Sequence, residues 1–142
     1  MNINDMVKET ADTIRNLPVL SGTAVLEMDV GDVESAIGNE IAKTTRCVLV
    51  RWNGFKPTKQ GNGSLIGNAN VVAHVYETPD VSRAKEGAPH LLDMAAAIAR
   101  ALHGAAAKGM SVPLFVDEIT PVEERENGMI TCAVVLRAVG EL

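Results

Sequence analysis

The sequence predicts a single α+β domain over residues 1–142, with an antiparallel or mixed sheet of four to five strands, helices packed on that sheet and a C-terminal β-hairpin. Helical and strand-like segments follow one another without the regular alternation of a doubly wound parallel sheet. At 142 residues, 46% of them hydrophobic, the chain is long enough for one buried core. We find no internal repeat and no linker that would divide it.

The first third of the chain predicts two helices separated by a short strand. Apolar residues recur at spacings of three and four from about Asn4 to Leu17 and form one stripe, with Asn4 or Asp5 as the N-cap. Residues 21–32 hold an apolar run between two glycines, which predicts a short strand. A second helix is predicted to begin at Asp32, although the glycine in its middle costs about 1 kcal/mol relative to Ala.

Residues 45–77 predict two strands joined by a long polar segment. The strand Thr45–Phe55 is apolar on both faces at its start, which is typical of a central strand covered on each side. Residues 56–70 are rich in Gly, Asn and Lys, and we interpret them as a loop or a mobile hairpin tip. The strand Asn70–Glu77 follows, and residues 78–89 form a second loop.

The last third predicts an apolar helix and a hairpin. The helix His90–Gly104 carries apolar residues over more than half of its circumference, so we expect the sheet and a second surface, such as a neighbouring subunit, to bury it. Two β-rich runs then flank Asn127-Gly128, a pair that favours the type I′ turn of a hairpin. Pro121 marks the first run as an edge, a bulge or a kinked strand.

Composition argues against several classes of function. The net charge of −5 disfavours general nucleic-acid binding, which requires a basic face. Cys47 and Cys132 each lie in an apolar run without zinc-ligand spacing, so we expect two buried thiols rather than a disulfide or a metal site. The first 18 residues do not resemble a secretory signal, and no apolar stretch is long enough to span a membrane. We therefore expect a cytoplasmic protein with no membrane partner and no specific nucleic-acid binding.

No group of residues has a recognisable catalytic signature. The glycine-rich residues 61–68 lack the Lys-Ser/Thr pair of a phosphate-binding loop. His90 and His103 are too far apart on one helix to share a metal, and His103 is explained by the helix dipole. An acidic cluster has two interpretations. A pair of its carboxylates could act in acid–base catalysis or bind a hard cation, or the cluster could be a set of solvated charges on strand edges that oppose aggregation. Its members are Asp117, Glu118, Glu123, Glu124 and Glu126. We predict no catalytic residue, no metal, no cofactor and no enzyme activity.

Positive charge concentrates on one predicted strand and on the polar segment behind it. Arg46 and Arg51 lie on the strand, and Lys56 and Lys59 follow it. Two interpretations stay open: a solvated rim, or a docking surface for an acidic partner. The candidate partner or subunit interface comprises Arg46, Arg51, Lys56, Lys59, Gln60, Asn62 and Asn68.

Five segments, taken in order, carry a resemblance to a known family. They are the helix MVKETADTIRNLP, the strand CVLVRWNGF with its polar excursion, the strand VVAHVYETPDVSR, the helix HLLDMAAAIARALHG and the hairpin LFVDEITPVEERENGMITCAVVLRA. This layout resembles the tail terminator, or tail completion, proteins of long-tailed bacteriophages and related contractile particles, which are minor tail proteins. The resemblance covers nearly the whole chain, although residues 21–44 are longer than in the smallest members of the family.

The resemblance implies a homohexameric ring at the head-proximal end of a phage or prophage tail tube. Such a ring halts tube polymerisation, so its partners are copies of itself, the tail tube and the head-completion proteins. The chain would assemble in the host cytoplasm and remain in the virion tail. Two alternatives come from other classes. One is a cytoplasmic small-ligand-binding or regulatory α+β domain in which residues 52–68 cover a pocket, and the other is a small enzyme without a familiar motif.

Overall fold

The computed structural model describes residues 2–27, 32–61, 63–78, 90–111, 113–125 and 128–142. Within these ranges, three helices pack on an open, mixed, six-stranded sheet, which confirms the predicted α+β class and its C-terminal hairpin. The helices are α1 (Ile3–Arg15), α2 (Val33–Thr44) and α3 (His90–Leu102). The strands are β1 (Ala24–Glu27), β2 (Arg46–Gly61), β3 (Ser64–Glu77), β4 (Leu114–Ile119), β5 (Glu123–Glu124) and β6 (Ile130–Glu141).

The sheet is organised around the long β2–β3 hairpin. Its strand order is β1-β2-β3-β6-β4, and β5 pairs with the start of β6. β1 runs parallel to β2, whereas the other pairs are antiparallel. The two-residue β5 brings the count one above the predicted five. Because β3 pairs with β2 on one side and with β6 on the other, it is the central strand.

Side-chain caps fix the starts of α1 and α2. The Asn2 side chain accepts a hydrogen bond from the Asp5 amide at 3.1 Å, so the predicted cap at Asn4 or Asp5 is wrong and the helix begins one residue earlier than expected. Asp32 caps α2 as predicted, accepting from the Ser35 amide at 3.0 Å. The hydroxyl and amide of Ser35 both donate to that carboxylate, which lowers the pKa of Asp32.

Helices α1 and α3 cover one face of the sheet, here called the first face. The larger of the two cores lies between them and the strands, and it takes alternate residues of β2, β3 and β6. On α3 the buried residues are Leu91, Met94, Ala95, Ile98, Ala99 and Leu102. The sheet and α1 of the same chain therefore supply the two surfaces that this apolar helix was expected to need.

Helix α2 covers part of the opposite, second face. Its Ile37 packs with Cys47, Leu49, Tyr76 and Met129 in a smaller core at the end of the sheet where β2 begins. Strand β2 is thus apolar on both faces at its start, as predicted, because a helix lies on each side. Cys47 faces this smaller core and Cys132 the larger one, and both are free, buried thiols.

Residues 56–61 and 64–70 form strand rather than the predicted loop, so of the two original interpretations the hairpin is right and the loop is wrong. β2 continues to Gly61 and β3 begins at Ser64. The composition is poor in β-formers, but β6 pairs with β3 as far as Ile66 and supplies a second ladder of hydrogen bonds. Of the loop predicted at 78–89, only Thr78 lies within the described residues.

Hydrogen bonds among described residues mark the turn of the C-terminal hairpin. The Arg125 amide donates to the Met129 carbonyl at 2.7 Å, and the Gly128 amide donates to the Arg125 carbonyl at 3.1 Å. Gly128 adopts a φ of 80°, in the left-handed region that favours glycine. Asn127, the other residue of the predicted Asn-Gly pair, lies outside the described residues, so the type I′ turn stays a prediction.

Candidate subunit interface

The far end of the central hairpin lies beyond both cores. We call Lys56–Gly61 together with Ser64–Asn68 the distal hairpin. Among those whose burial is described, residues 56–58 and 64–68, none belongs to either core cluster. Leu65 is 50% exposed and Ile66 is 39% exposed, and both belong to the part of β3 nearest the turn. The distal hairpin is therefore an extended structure with apolar side chains in solvent, which is typical of a contact surface.

A glycine holds the two strands of the distal hairpin close together. Gly67 pairs with Pro57, and a Cβ at Gly67 would lie 2.2 Å from the Lys56 carbonyl oxygen and 2.7 Å from the Pro57 Cα. Both contacts are with backbone atoms, so no side-chain rotation relieves them. Register shifts on either side, at Trp52/Phe55 and Pro57/Lys59, bend β2 here.

The residues of the predicted interface divide between the two ends and the two faces of the hairpin. Arg51, Lys56 and Asn68 have the register of the second face, because Arg51 pairs with Val72 and Lys56 with Asn68. Lys59 and Gln60 pair through their backbones with Ile66 and Leu65 in the distal hairpin. Asn62 lies outside the described residues.

Arg46 is not part of that surface. It pairs with Glu77 at the opposite end of the hairpin and has the register of the first face. The Arg46 Nε–H, a donor, and the Glu77 Oε2, an acceptor, are buried and have no hydrogen-bond partner within the described part of the chain. Of the predicted residues, the structure therefore places Arg51, Lys56 and Asn68 on one face and separates Arg46 from them.

Beyond α2, the second face carries no helix among the described elements, and both basic and acidic residues have its register, Arg51 and Arg137 on the one hand and Glu118 and Glu141 on the other. Burial is the largest cause that lowers the pKa of His74, and the nearby guanidinium groups of Arg51 and Arg125 lower it further. Its imidazole is therefore neutral at pH 7. Arg137, further along on β6, forms an ion pair with Asp117 at 3.0 Å. The sequence pattern missed Arg125 and Arg137, although the alternation of β6 places Arg137 on the polar side.

A groove lies between α2 and the β5–β6 hairpin, at the opposite end of the sheet from the distal hairpin. We call it the α2 groove, and it encloses about 810 Å³. Glu34 and Glu124 lie on it and are exposed, and the Arg125 guanidinium sits 5.8 Å from the centre of the Tyr76 ring. The lining residues are Glu34, Ile37, Gly38, Ile41, Ala42, Tyr76, Glu124, Arg125 and Met129. None belongs to residues 52–68, so this groove is not the pocket that the ligand-binding alternative required.

Cys47 and His103 carry groups that could take part in catalysis, but both have structural roles. Burial raises the pKa of the Cys47 thiol to about 11, so at neutral pH it is protonated and is not an activated nucleophile. The His103 Nδ1 accepts a hydrogen bond from the Val116 amide at 3.0 Å, so this histidine ties α3 to β4, and the dipole explanation is not needed. Within the described ranges, no three His, Cys, Asp or Glu side chains gather as metal ligands. No described helix is long and apolar enough to cross a membrane.

The acidic cluster lies along the β4 and β5 edge. Glu118, Glu123 and Glu124 are exposed, and Asp117 is engaged with Arg137. This arrangement matches the reading of solvated strand edges, because charged side chains on an edge oppose pairing with another sheet. Glu126 lies outside the described residues.

Comparison with known proteins gives a likeness in fold. No family model matches the sequence. No curated protein matches it either. Among solved structures, a chain in the virion of a native gene transfer agent particle matches with a TM-score of 0.56 and 18% sequence identity, over 100% of each chain. At this identity the likeness is one of three-dimensional arrangement.

Proposed function

We propose that this chain is a structural protein of a phage-type tail, a tail terminator that forms a hexameric ring, caps the tail tube and joins it to the head-completion proteins. Its working location is then the virion tail. Its action is steric and interfacial, since its side chains supply shape and charge to neighbouring proteins.

The observation that carries the proposal is the full-length likeness to a chain of a virion. The match spans the full length of both chains. Proteins of a virion act by packing against one another, and the order of elements along this sequence independently resembles the tail terminators.

The exposed surfaces support an assembly role. The distal hairpin, the second face beyond α2 and the α2 groove are three surfaces on one chain of 142 residues. Strand β1 pairs only with Cys47–Val50, so the outer edge of β2 from Arg51 to Gly61 has no partner strand in the described sheet. Exposed apolar residues and an open strand edge are surfaces on which other proteins can pack.

Light scattering and electron microscopy of the purified chain test the proposal. Six copies of a 15.0 kDa chain have a mass of about 90 kDa, and we expect this species to appear as rings at high protein concentration. A species of 15.0 kDa at every concentration would overturn the self-assembly. If that monomer bound a small molecule in a pocket covered by residues 52–68, the regulatory-domain alternative would replace the proposal.

A further inference from the structure

A bulge in β2 places an Asn-Gly pair on the open edge of the sheet. The register of β2 with β3 shifts between Trp52 and Phe55, so Asn53 and Gly54 have no register partner in β3. Asn53 is exposed, and β1 pairs with β2 only before this point, so the outer edge carries no described strand here. Water therefore reaches the Asn53 side chain, and regular ladder pairing does not hold this peptide on either side.

Gly54 leaves the side-chain amide of Asn53 open to attack. Its φ is +103°, a backbone conformation that residues with a side chain rarely adopt, so the bulge favours glycine at this position. An Asn side chain closes into a succinimide when the backbone nitrogen of the next residue approaches its Cγ, and a Cβ on that next residue hinders the approach. The shape of the bulge thus selects the residue type that hinders ring closure least.

We propose that Asn53 is a site of spontaneous deamidation in the folded chain. Hydroxide removes the proton of the Gly54 amide, the Gly54 nitrogen bonds to the Asn53 Cγ, and the side-chain nitrogen takes a proton from water and leaves as ammonia. Water then opens the succinimide at either carbonyl, which gives an aspartate or its β-linked isomer. Neither step transfers electrons to or from an outside reagent, and water is the co-reactant. The reaction does not depend on assembly of the chain, because it uses only the local geometry of β2.

Deamidation changes both the charge and the length of β2. From Arg46 to Tyr76 the sequence has four cationic residues and no Asp or Glu, so the new carboxylate brings the first negative charge to this range. The β-linked isomer carries the backbone through the former side chain and adds a carbon atom to it. The register of β2 with β3 beyond the bulge, from Phe55 to Gly61, must then shift or break. The distal hairpin is therefore the part of the fold that the isomer loosens.

Peptide mapping of the purified chain, incubated folded at mildly alkaline pH, tests the site. Cleavage after Arg51 and Lys59 releases residues 52–59, in which Asn53 is the sole Asn or Gln. Deamidation exchanges NH2 for OH, so mass spectrometry distinguishes the converted peptide from its parent. We expect conversion to quicken as the pH rises, because the attacking nitrogen must first lose its proton.

Asn68 provides an internal control on the neighbouring strand. It is partly buried, has register partners in both β2 and β6, and precedes an alanine. We expect Asn53 to convert at least about tenfold faster than Asn68, which corresponds to a barrier lower by about 1.4 kcal/mol. Equal rates at the two positions would overturn the proposal.

Two variants separate the reaction from its consequence. Asn53→Gln keeps an amide but requires a larger ring, so it should resist conversion and keep slow hydrogen exchange in the distal hairpin. Asn53→Asp adds the charge on a normal backbone and should also exchange slowly there, whereas incubated wild type, which contains the β-linked isomer, should exchange faster. Conversion of Asn53 in urea but not in the folded chain would show that the bulge protects the residue, and the proposal would fail.

Discussion

The two ends of the β2–β3 hairpin share one ladder of hydrogen bonds but differ in what covers them. In the proximal half, Arg46–Val50 paired with Ala73–Glu77, helices lie on both faces, and Cys47–Val50 are fully buried. The distal hairpin belongs to neither core, and it exposes Leu65 and Ile66. Backbone pairing alone therefore does not determine which part of the hairpin stabilises the fold.

This difference in burial gives separate roles to the proximal half and the distal hairpin. Burial of apolar side chains supplies most of the free energy of folding, so the proximal half anchors the domain. The distal hairpin is held in shape by pairing on both sides of β3 and by the close approach at Gly67. A strand pair that is ordered but uncovered is available to another protein at a low entropic cost.

The largest effect is expected from truncating the same residue type at the two ends. Leu49→Ala removes a fully buried side chain under α2 and should lower the free energy of unfolding by about 2–5 kcal/mol. Leu65→Ala removes a half-exposed one and should change it by less than about 0.5 kcal/mol. Urea denaturation of both variants at low protein concentration measures the difference. Equal losses would show that the distal hairpin is part of the core and would break the comparison.

Alkaline pH should weaken the proximal half through Cys47. The folded pKa is about 11 against an ordinary value of 9.0, so between these values the folded state keeps a proton that the unfolded state has lost. Stability therefore falls as the pH rises through this window, by roughly 2–3 kcal/mol in total, and is fully present below it. Cys47→Ala should lose this part of the dependence and start from a lower stability at pH 7. Parallel stability curves for wild type and variant from pH 8 to pH 11 would contradict the assignment.

The distal hairpin should open when Gly67 gains a side chain. In Gly67→Ala the new Cβ meets the backbone of Lys56 and Pro57, so β2 and β3 must separate locally, at about 1–3 kcal/mol. Asn68→Ala, one residue further along the same strand, adds no atom and serves as the control. Hydrogen exchange should quicken at the distal amides of Gly67→Ala and stay slow in the proximal half. Faster exchange in both halves would mean that the two ends unfold as one unit.

The sequence reveals the covered parts of the fold far better than the uncovered one. Periodicity located α1, α3 and the proximal half, because burial on a helix or sheet face leaves a pattern in the residues themselves. Residues 56–61 and 64–69 were left open between a loop and a hairpin, since β3 there pairs with β6 about 75 positions later and the composition favours turns. The Asn2 cap was missed because Asn4 and Asp5 are equally good capping residues.

The role of the candidate interface stays a prediction, and only the placement of its residues can be compared with the structure. Charge identified Arg51 and Lys56, and the polar composition of residues 56–70 identified Asn68; the structure places these three on one face. Arg46 and Arg51 are an odd number of residues apart, and because side chains alternate along a strand, the sequence could have shown that the two arginines lie on opposite faces. The α2 groove was missed because its residues come from α2, β3 and the β5–β6 hairpin, and no local pattern joins such distant segments.

The smallest expected effect concerns α2, the cover that only the proximal half has on its second face. Gly38→Ala places a methyl group where no atom lies within 4 Å, and it replaces the residue with the lowest helix propensity after proline, so stability should rise by about 0.5–1 kcal/mol. Gly63→Ala, at the turn of the distal hairpin, also meets open space, but its φ of +79° is unfavourable for alanine, so stability should fall by about 1 kcal/mol. Both substitutions add the same atom without a clash, so opposite signs in chemical denaturation isolate backbone conformation as the cause. A loss of stability in Gly38→Ala would mean that the middle of α2 is not regular helix, and the second face of the proximal half would then lack the cover that distinguishes it from the distal hairpin.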